Sequence, residues 1–418
     1  MDKNNSSFCL VPWIHTYISP QGQRQLCCIA DQSFGINKTL DEIWNSDEMK
    51  NIRLRMLNGE VLSECNRCND GSINPNTYKK YFFDKYSGLT ENILSKTEED
   101  GTYNELPSTL DYRTNICNFK CKTCSEEFSS QIQIEKFKND IELKYDILNS
   151  KQREISSQII DDELSNEKIL ENILEIYWAG GEPMYWKTHW KTLEKLIELD
   201  LSKNITLRYS TNLSTIHHNG KYLTEYFNNF KRIELYCSLD ATGSIGEWVR
   251  TNLNYEEWKK NIEKIANYRD NNQHLDLHLA ITVTTPTLFD LENLYELCIE
   301  YKIHPDFQTC YSTVANNLLS PKSFPKNLIE PIIQKFLNLH SDDESFIIKQ
   351  FRDYFNFLLT QDFFDIHESY DYHFNEGIKN ILYLDKNRPH NKLNFNNILK
   401  SSKPLYNFYK KRLEKVSK

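Results

Sequence analysis

The chain has 418 residues, 13% of them aromatic, and a formal net charge of −9. That length predicts two or three domains with ample apolar material for their cores, and the acidic balance argues against a broad nucleic-acid footprint, which needs a basic face. No apolar run reaches the roughly 18–20 residues that span a bilayer, and Met1–Cys9 lacks the apolar core of a signal peptide, so a cytoplasmic location is expected. In a reducing compartment, eleven cysteines read as metal or redox ligands and not as disulfides.

The first region, residues 1–94, is a cysteine-rich module in which Cys9, Cys27, Cys28, Cys65 and Cys68 fall between Phe8 and about Gly71. Four thiolates can close a tetrahedral zinc site or complete an iron–sulfur cluster, and spacing does not separate the two. The polar stretch Ser95–Leu106 reads as a linker.

From Thr109 onward, short apolar runs alternate with amphipathic ones. Strands are expected at Leu110–Arg113, Ile173–Ala179, Ile205–Ser210, Ile233–Leu239, Leu277–Val283 and Asp306–Cys310. Helices are expected at Trp190–Leu199, Glu256–Asn267 and Leu291–Tyr301. Strands alternating with helices imply βαβ units and a parallel sheet. The fold class is therefore α/β, and residues 107–312 are expected to form a partial (β/α)6 TIM-like barrel. Chemistry in such barrels sits at the C-terminal ends of the strands. The charged segment Phe128–Leu170, near residues 128–170, reads as a two-helix insertion. Residues 321–418 turn helical, with patterns at Leu328–Leu339, Phe346–Leu359 and the basic Tyr406–Lys418. They carry no chemical motif and are expected to be a packed helical cap.

Directly after the first strand stands Cys117-Asn-Phe-Lys-Cys121-Lys-Thr-Cys124. A loop at a strand end can curl three thiolates around one metal cluster. Three ligands are one short of the usual four, which leaves a metal ion open to a substrate or cofactor. The second strand runs into Trp178-Ala-Gly180-Gly181-Glu182-Pro183, where adjacent glycines allow close backbone approach and Glu182 can accept from an ammonium. The third strand ends in Ser210-Thr-Asn212, the fourth in Ser238-Leu-Asp240, and Arg250 follows ten residues later. An arginine fork suits a carboxylate bidentately.

Over roughly Thr109–Tyr311 this order of motifs resembles the radical S-adenosylmethionine (SAM) superfamily. The resemblance implies that Cys117, Cys121 and Cys124 hold a 4Fe–4S cluster whose open iron chelates SAM. It implies that Gly180, Gly181, Glu182, Ser210, Asn212, Ser238, Asp240 and Arg250 contact SAM. It also implies reductive cleavage of SAM to methionine and a 5′-deoxyadenosyl radical, which takes a hydrogen atom from a substrate; the cofactor carries the radical chemistry. Thr123 stands where many members have an aromatic residue. The order Cys9, then Gly22-x4-Cys27-Cys28, then Cys65-x2-Cys68 resembles the auxiliary-cluster module of SPASM and twitch proteins, placed here before the barrel instead of after it. That implies an auxiliary 4Fe–4S cluster on Cys9, Cys27, Cys65 and Cys68, with Cys28 as a spare neighbour.

The resemblance leaves a peptide or a small molecule as substrate and implies an electron donor such as flavodoxin or ferredoxin; no membrane partner is expected. Two rival readings are a non-catalytic zinc- or Fe–S-stabilised binding module and a polar SAM methyltransferase. The first leaves Gly-Gly-Glu-Pro one strand after an incomplete triplet unexplained. The second calls for a glycine-rich loop where the cysteines stand.

Overall fold

The structure, a computed structural model, describes residues 7–69, 78–143 and 150–416. The chain forms two compact units. One holds the chain through Cys117 together with Glu126–Ser210 and His218–Glu234; the other holds Asn118–Ser125, Thr211–His217 and the chain from Leu235 onward. Among the described residues no helix is long and apolar enough to cross a membrane.

The first unit is built on strands β1 (His15–Ile18), β2 (Gln23–Gln25), β3 (Gly35–Ile36), β4 (Thr109–Thr114), β5 (Glu175–Gly180) and β6 (Thr206–Thr211), ordered β3-β2-β1-β4-β5-β6. The pairs β1/β4, β4/β5 and β5/β6 are parallel, and β2 and β3 add on antiparallel. In register, His15 stands opposite Thr109 and Ile18 opposite Tyr112. The cysteine-rich region thus donates a strand to the core sheet. Its helix α1 (Asp47–Leu57) is capped by Ser46, whose side chain accepts from the Met49 amide.

Side chains alternate across β4. Leu110 and Tyr112 are buried on one face, and the Tyr112 hydroxyl donates to Glu163 at the end of helix α4 (Ser150–Glu163). Glu163 also accepts from Arg24 Nη2 at 2.6 Å and the Leu40 amide at 2.7 Å. On the other face lie Asp111 and Arg113, covered by helix α2 (Tyr78–Tyr86). Tyr78 donates to Asp111 at 3.0 Å, Tyr86 to Glu175 at 2.7 Å, and Lys85 to both Glu175 and Glu234 at 2.6 and 2.7 Å. Arg208 lies over the rings of Tyr81 and Tyr177 at 4.3 and 4.4 Å. A polar sheet face is buried here only because a helix of tyrosines and lysine satisfies it.

The segment expected to be a two-helix insertion holds three helices among the described residues, α3 (Ser130–Lys138), α4 and a short one at Glu167–Asn172; residues 144–149 lie outside the described residues. The stretch expected to be a linker is packed instead. Thr97 bridges to Tyr103, Trp44 donates to the Glu105 carbonyl at 2.7 Å, and Arg53 reaches the Gly101 carbonyl at 3.2 Å. Helix α5 (Lys187–Glu198) buries Trp190, Leu193 and Leu196 at helical spacing. His189 sits between Trp178, Trp190 and Tyr209, with Nε2 at 2.9 Å from the Tyr209 hydroxyl.

Strand β7 (Arg232–Ser238) carries the chain from the first unit into the second. There β8 (Leu275–Val283) and β9 (His304–Thr309) pair in parallel, with His278 opposite His304. On β8, Leu275, Leu277, Leu279, Ile281 and Val283 are buried and the residues between them half-buried, the period of two of a one-sided strand. Around them lie helices α6 (Gly243–Val249), α7 (Tyr255–Asp270) and α8 (Leu291–Glu300). The C-terminal region holds helices α9 (Lys326–Leu339), α10 (Phe346–Thr360), α11 (Tyr370–Asn387), α12 (Phe395–Leu399) and α13 (Lys403–Val416). Phe351 of α10 meets Phe307 of β9 edge-on at 4.8 Å, and Phe324, Phe374 and Phe408 join α11 to α13.

Two outcomes follow from the buried charges. Arg24→Met strands the Glu163 carboxylate, and urea unfolding should show a loss of about 3–5 kcal/mol, most of it recovered in Arg24→Met/Glu163→Leu. Burial, with a smaller contribution from His218, pulls His189 down to about 3 from its ordinary 6.5. Between those values the unfolded chain binds a proton that the folded chain refuses, so stability falls as pH drops through that window. The urea midpoint measured from pH 6.5 to 4.5 should fall in the wild type and fall less steeply in His189→Phe.

Candidate functional site

Two sets of thiols stand at turns that the local sequence dictates. In the first unit, Cys9 precedes the short helix Val11–Ile14, which Pro12 opens. Cys27 follows β2, and Cys65 and Cys68 lie three residues apart on consecutive helical turns, Ser63–Cys65 and Asn66–Asn69. Residues three apart on a helix share a face. Cys9, Cys27, Cys65 and Cys68 line one cavity, together with Tyr78 and Lys79. Cys28 is not among the residues lining it and faces Arg113, Asp111 and Tyr78. Among the described residues no three His, Cys, Asp or Glu side chains close around a single metal ion, so the four thiols share a cavity without collapsing onto one point.

Burial pushes the Cys9 thiol up to about 12 and the Cys65 thiol to about 11, and the neighbouring thiols add to both. Thiols gathered in an apolar cavity resist ionisation, and a bound metal centre reverses that balance by its own charge. Four thiols lining one cavity are a donor set of the kind that zinc and iron–sulfur clusters take.

The second set is divided between the units: Cys117 belongs to the first, Cys121 and Cys124 to the second. In the first unit, Gly180 and Gly181 end β5 beside the segment that leads to Cys117. The Gly181 amide donates to the Thr114 carbonyl at 2.6 Å and the Glu182 amide to the Ile116 carbonyl at 2.7 Å. A Cβ on Gly181 would lie 2.1 Å from the Ile116 oxygen, and Gly180 has φ +107°. Both glycines are thus required by the chain's own backbone. Glu182 is fully buried and caps the turn that follows, accepting from the Met184 amide at 3.1 Å. Ser210 shares a 2.8 Å hydrogen bond with Tyr177.

In the second unit, Asp240 and Arg250 are buried side by side. Asp240 Oδ1 accepts from Arg250 Nη2 and from the Thr282 amide, each at 2.9 Å. Asp240 Oδ2 and Arg250 Nε are buried and make no hydrogen bond. Arg250 stands opposite Cys121 in a short antiparallel pair of Arg250–Thr251 with Lys120–Cys121. Burial pushes the Cys124 thiol up to about 12, with Cys121 adding to it and Arg250 pulling the other way. A buried acceptor and a buried donor left open beside two thiols match an ammonium and a carboxylate in hydrogen-bonding sense and charge. Asn212 donates to Asn118 of the cysteine loop at 2.9 Å, and Ser238 is half-buried at the end of β7. Sequence reasoning missed Asn118, Lys122 and Arg388. Lys122 and Arg388 join the loop to the C-terminal helices across 266 residues, a contact no local pattern announces.

Residues 112–298 match the model of the radical SAM superfamily, and residues 9–69 match that of an iron–sulfur cluster-binding domain, SPASM. The two matches together span more than half of the chain. It is a radical SAM protein with a SPASM module. Its core has the α/β class of a partial TIM-like barrel, and the two domains imply 4Fe–4S clusters with SAM as the cofactor. Solved structures similar to the chain include Streptococcus suis SuiB bound to S-adenosylmethionine, with 16% identity, 72% of this chain and 60% of SuiB covered, and a TM-score of 0.37. Another is anSMEcpe with bound AdoMet, at 19% identity, 56% and 60% coverage and a TM-score of 0.35. The chain thus spans about 60% of the length of each. No curated protein matches.

The glycine geometry is directly testable. Gly181→Ala should destabilise the protein by about 1–3 kcal/mol through overpacking against Ile116. Gly88→Ala, with nothing within 4 Å of the added carbon, should leave the urea midpoint within the error of the wild type.

Proposed function

We propose that this radical SAM protein is an enzyme that reductively cleaves SAM and activates a C–H bond of its substrate. The observation that carries this reading is the buried Asp240–Arg250 pair, with one oxygen and one nitrogen left open beside Cys121 and Cys124. In it, Cys117, Cys121 and Cys124 would hold a 4Fe–4S cluster that binds SAM. When bound, the cluster supplies the electron that splits SAM into methionine and the 5′-deoxyadenosyl radical.

The chain's own residues orient and exclude. Arg250 Nε receives the SAM carboxylate, and Asp240 Oδ2 accepts from the SAM amino group while holding Arg250 through its other oxygen. Glu182, Ser210, Asn212 and Ser238 are the further proposed contacts. Gly180 and Gly181 act through the backbone that leads to Cys117. Cys9, Cys27, Cys65 and Cys68 hold the auxiliary cluster, and a flavodoxin or ferredoxin supplies electrons. The substrate class is a peptide or a small molecule.

Iron and acid-labile sulfide in anaerobically purified protein test this reading. About eight irons should fall to about four in Cys117→Ala/Cys121→Ala/Cys124→Ala, one cubane per ligand set. Zinc without iron in protein kept from oxygen throughout would sink it.

A further inference from the structure

Three stretches of the second unit meet at one residue, Asn118, which follows Cys117 in the chain. Its Oδ1 accepts from Asn212 Nδ2 at 2.9 Å, and its Nδ2 donates to the Ser214 hydroxyl at 3.0 Å. Its backbone carbonyl accepts from Asn252 Nδ2 at 2.9 Å. Asn212 and Ser214 lie on one turn, whereas Asn252 follows the Arg250–Thr251 pair that runs against Lys120–Cys121. The Asn252 contact thus carries that pairing one step further along the cysteine loop.

The sense of each bond is fixed by the backbone. The Ser214 amide can only donate, and it donates to Asn212 Oδ1 at 2.9 Å. Asn212 must then offer its Nδ2 to Asn118, which answers with its oxygen and turns its own nitrogen to the Ser214 hydroxyl. The ring closes on itself, because Ser214 supplies both the first donor and the last acceptor. The turn is tied elsewhere as well. Leu213, at φ +53°, donates its amide to Thr211 Oγ1 at 3.0 Å, and its carbonyl accepts from Asn261 of α7 at 2.9 Å. A turn held at its amide and its carbonyl does not need Asn118 in order to close. What Asn118 adds is the angle of the Asn212 amide, a side chain only 7% exposed.

We infer that Asn118 is a positioning residue for SAM: it orients the Asn212 amide and ties the turn carrying it to the loop carrying Cys121. The inference rests on the proposed function, in which Asn212 contacts SAM. An amide already held in its bound orientation meets a ligand without first losing rotamer freedom.

The test is the SAM affinity of anaerobically prepared protein, measured by titration calorimetry with iron counted in every sample. Asn118→Ala should weaken SAM binding about tenfold, which is what one hydrogen bond of ordinary net strength decides, with iron content kept. Asn118→Asp keeps an acceptor for Asn212 and lets the Ser214 hydroxyl turn round to donate, so it should recover most of the affinity. In an Asn212→Ala background, Asn118→Ala should cost less than about twofold, because the group it orients is gone. Unchanged affinity in Asn118→Ala, the same loss in the Asn212→Ala background, or loss of iron in Asn118→Ala overturns it. Wild-type protein that holds iron but binds no SAM would instead sink the proposed function itself, and this inference with it.

Discussion

The first unit depends on the parallel pairing of β1 with β4. Without it, the four-thiol cavity would sit on a chain of short turns with little core of its own. The pairing sets His15 opposite Thr109 and Tyr17 opposite Asp111, so the cysteine-rich region and the barrel strands share one hydrogen-bond ladder. A further contact follows from it. Helix α2, which comes after Cys68, covers the polar face of β4 and β5, and Tyr78 lines the four-thiol cavity while donating to Asp111. One side chain thereby touches both the cavity and the sheet, and the geometry of each constrains the other.

Burial makes that polar face exacting. Glu175 is nearly inaccessible yet accepts from Tyr81, Tyr86 and Lys85. A buried carboxylate is tolerated when several donors replace water, and removing one of them leaves a desolvated charge. The same rule governs the second unit, where Asp240 and Arg250 answer each other by one hydrogen bond and keep one polar atom each in reserve. The first network is closed and the second is open.

Much of this was legible in the sequence, for a physical reason. The barrel strands are runs such as Leu277–Val283, whose alternation marks one buried face, and the observed β8 spans Leu275–Val283. The cysteine spacings are local, and so are the turns that carry them. Illegible features all join distant segments. The strand His15–Ile18 is four residues long and finds its partner more than ninety positions away. Ser95–Leu106 reads as a linker because it is polar, but Gly101, with φ +86°, makes a turn in which a Cβ would strike the Lys50 carbonyl. Arg388 looks like an ordinary basic residue at a helix end until its 2.9 Å contact with the Cys121 carbonyl is seen.

The Gly-Gly-Glu segment shows why a motif and its physical work can differ. Read from the sequence, its glycines admit a ligand close to the backbone. In the structure the space above Gly181 is taken by the Ile116 carbonyl, and the Glu182 amide bonds to that same oxygen. The segment therefore grips the residues just before Cys117 and decides where the cysteine loop begins. A side chain at Gly181 would push Ile116 away and carry Cys117 with it. Glu182, buried and already capping its own turn, is held in one orientation by the same contact. Its carboxylate is thus carried by a backbone that the segment before Cys117 has fixed, so the Gly-Gly-Glu turn and the start of the cysteine loop form one mechanical piece.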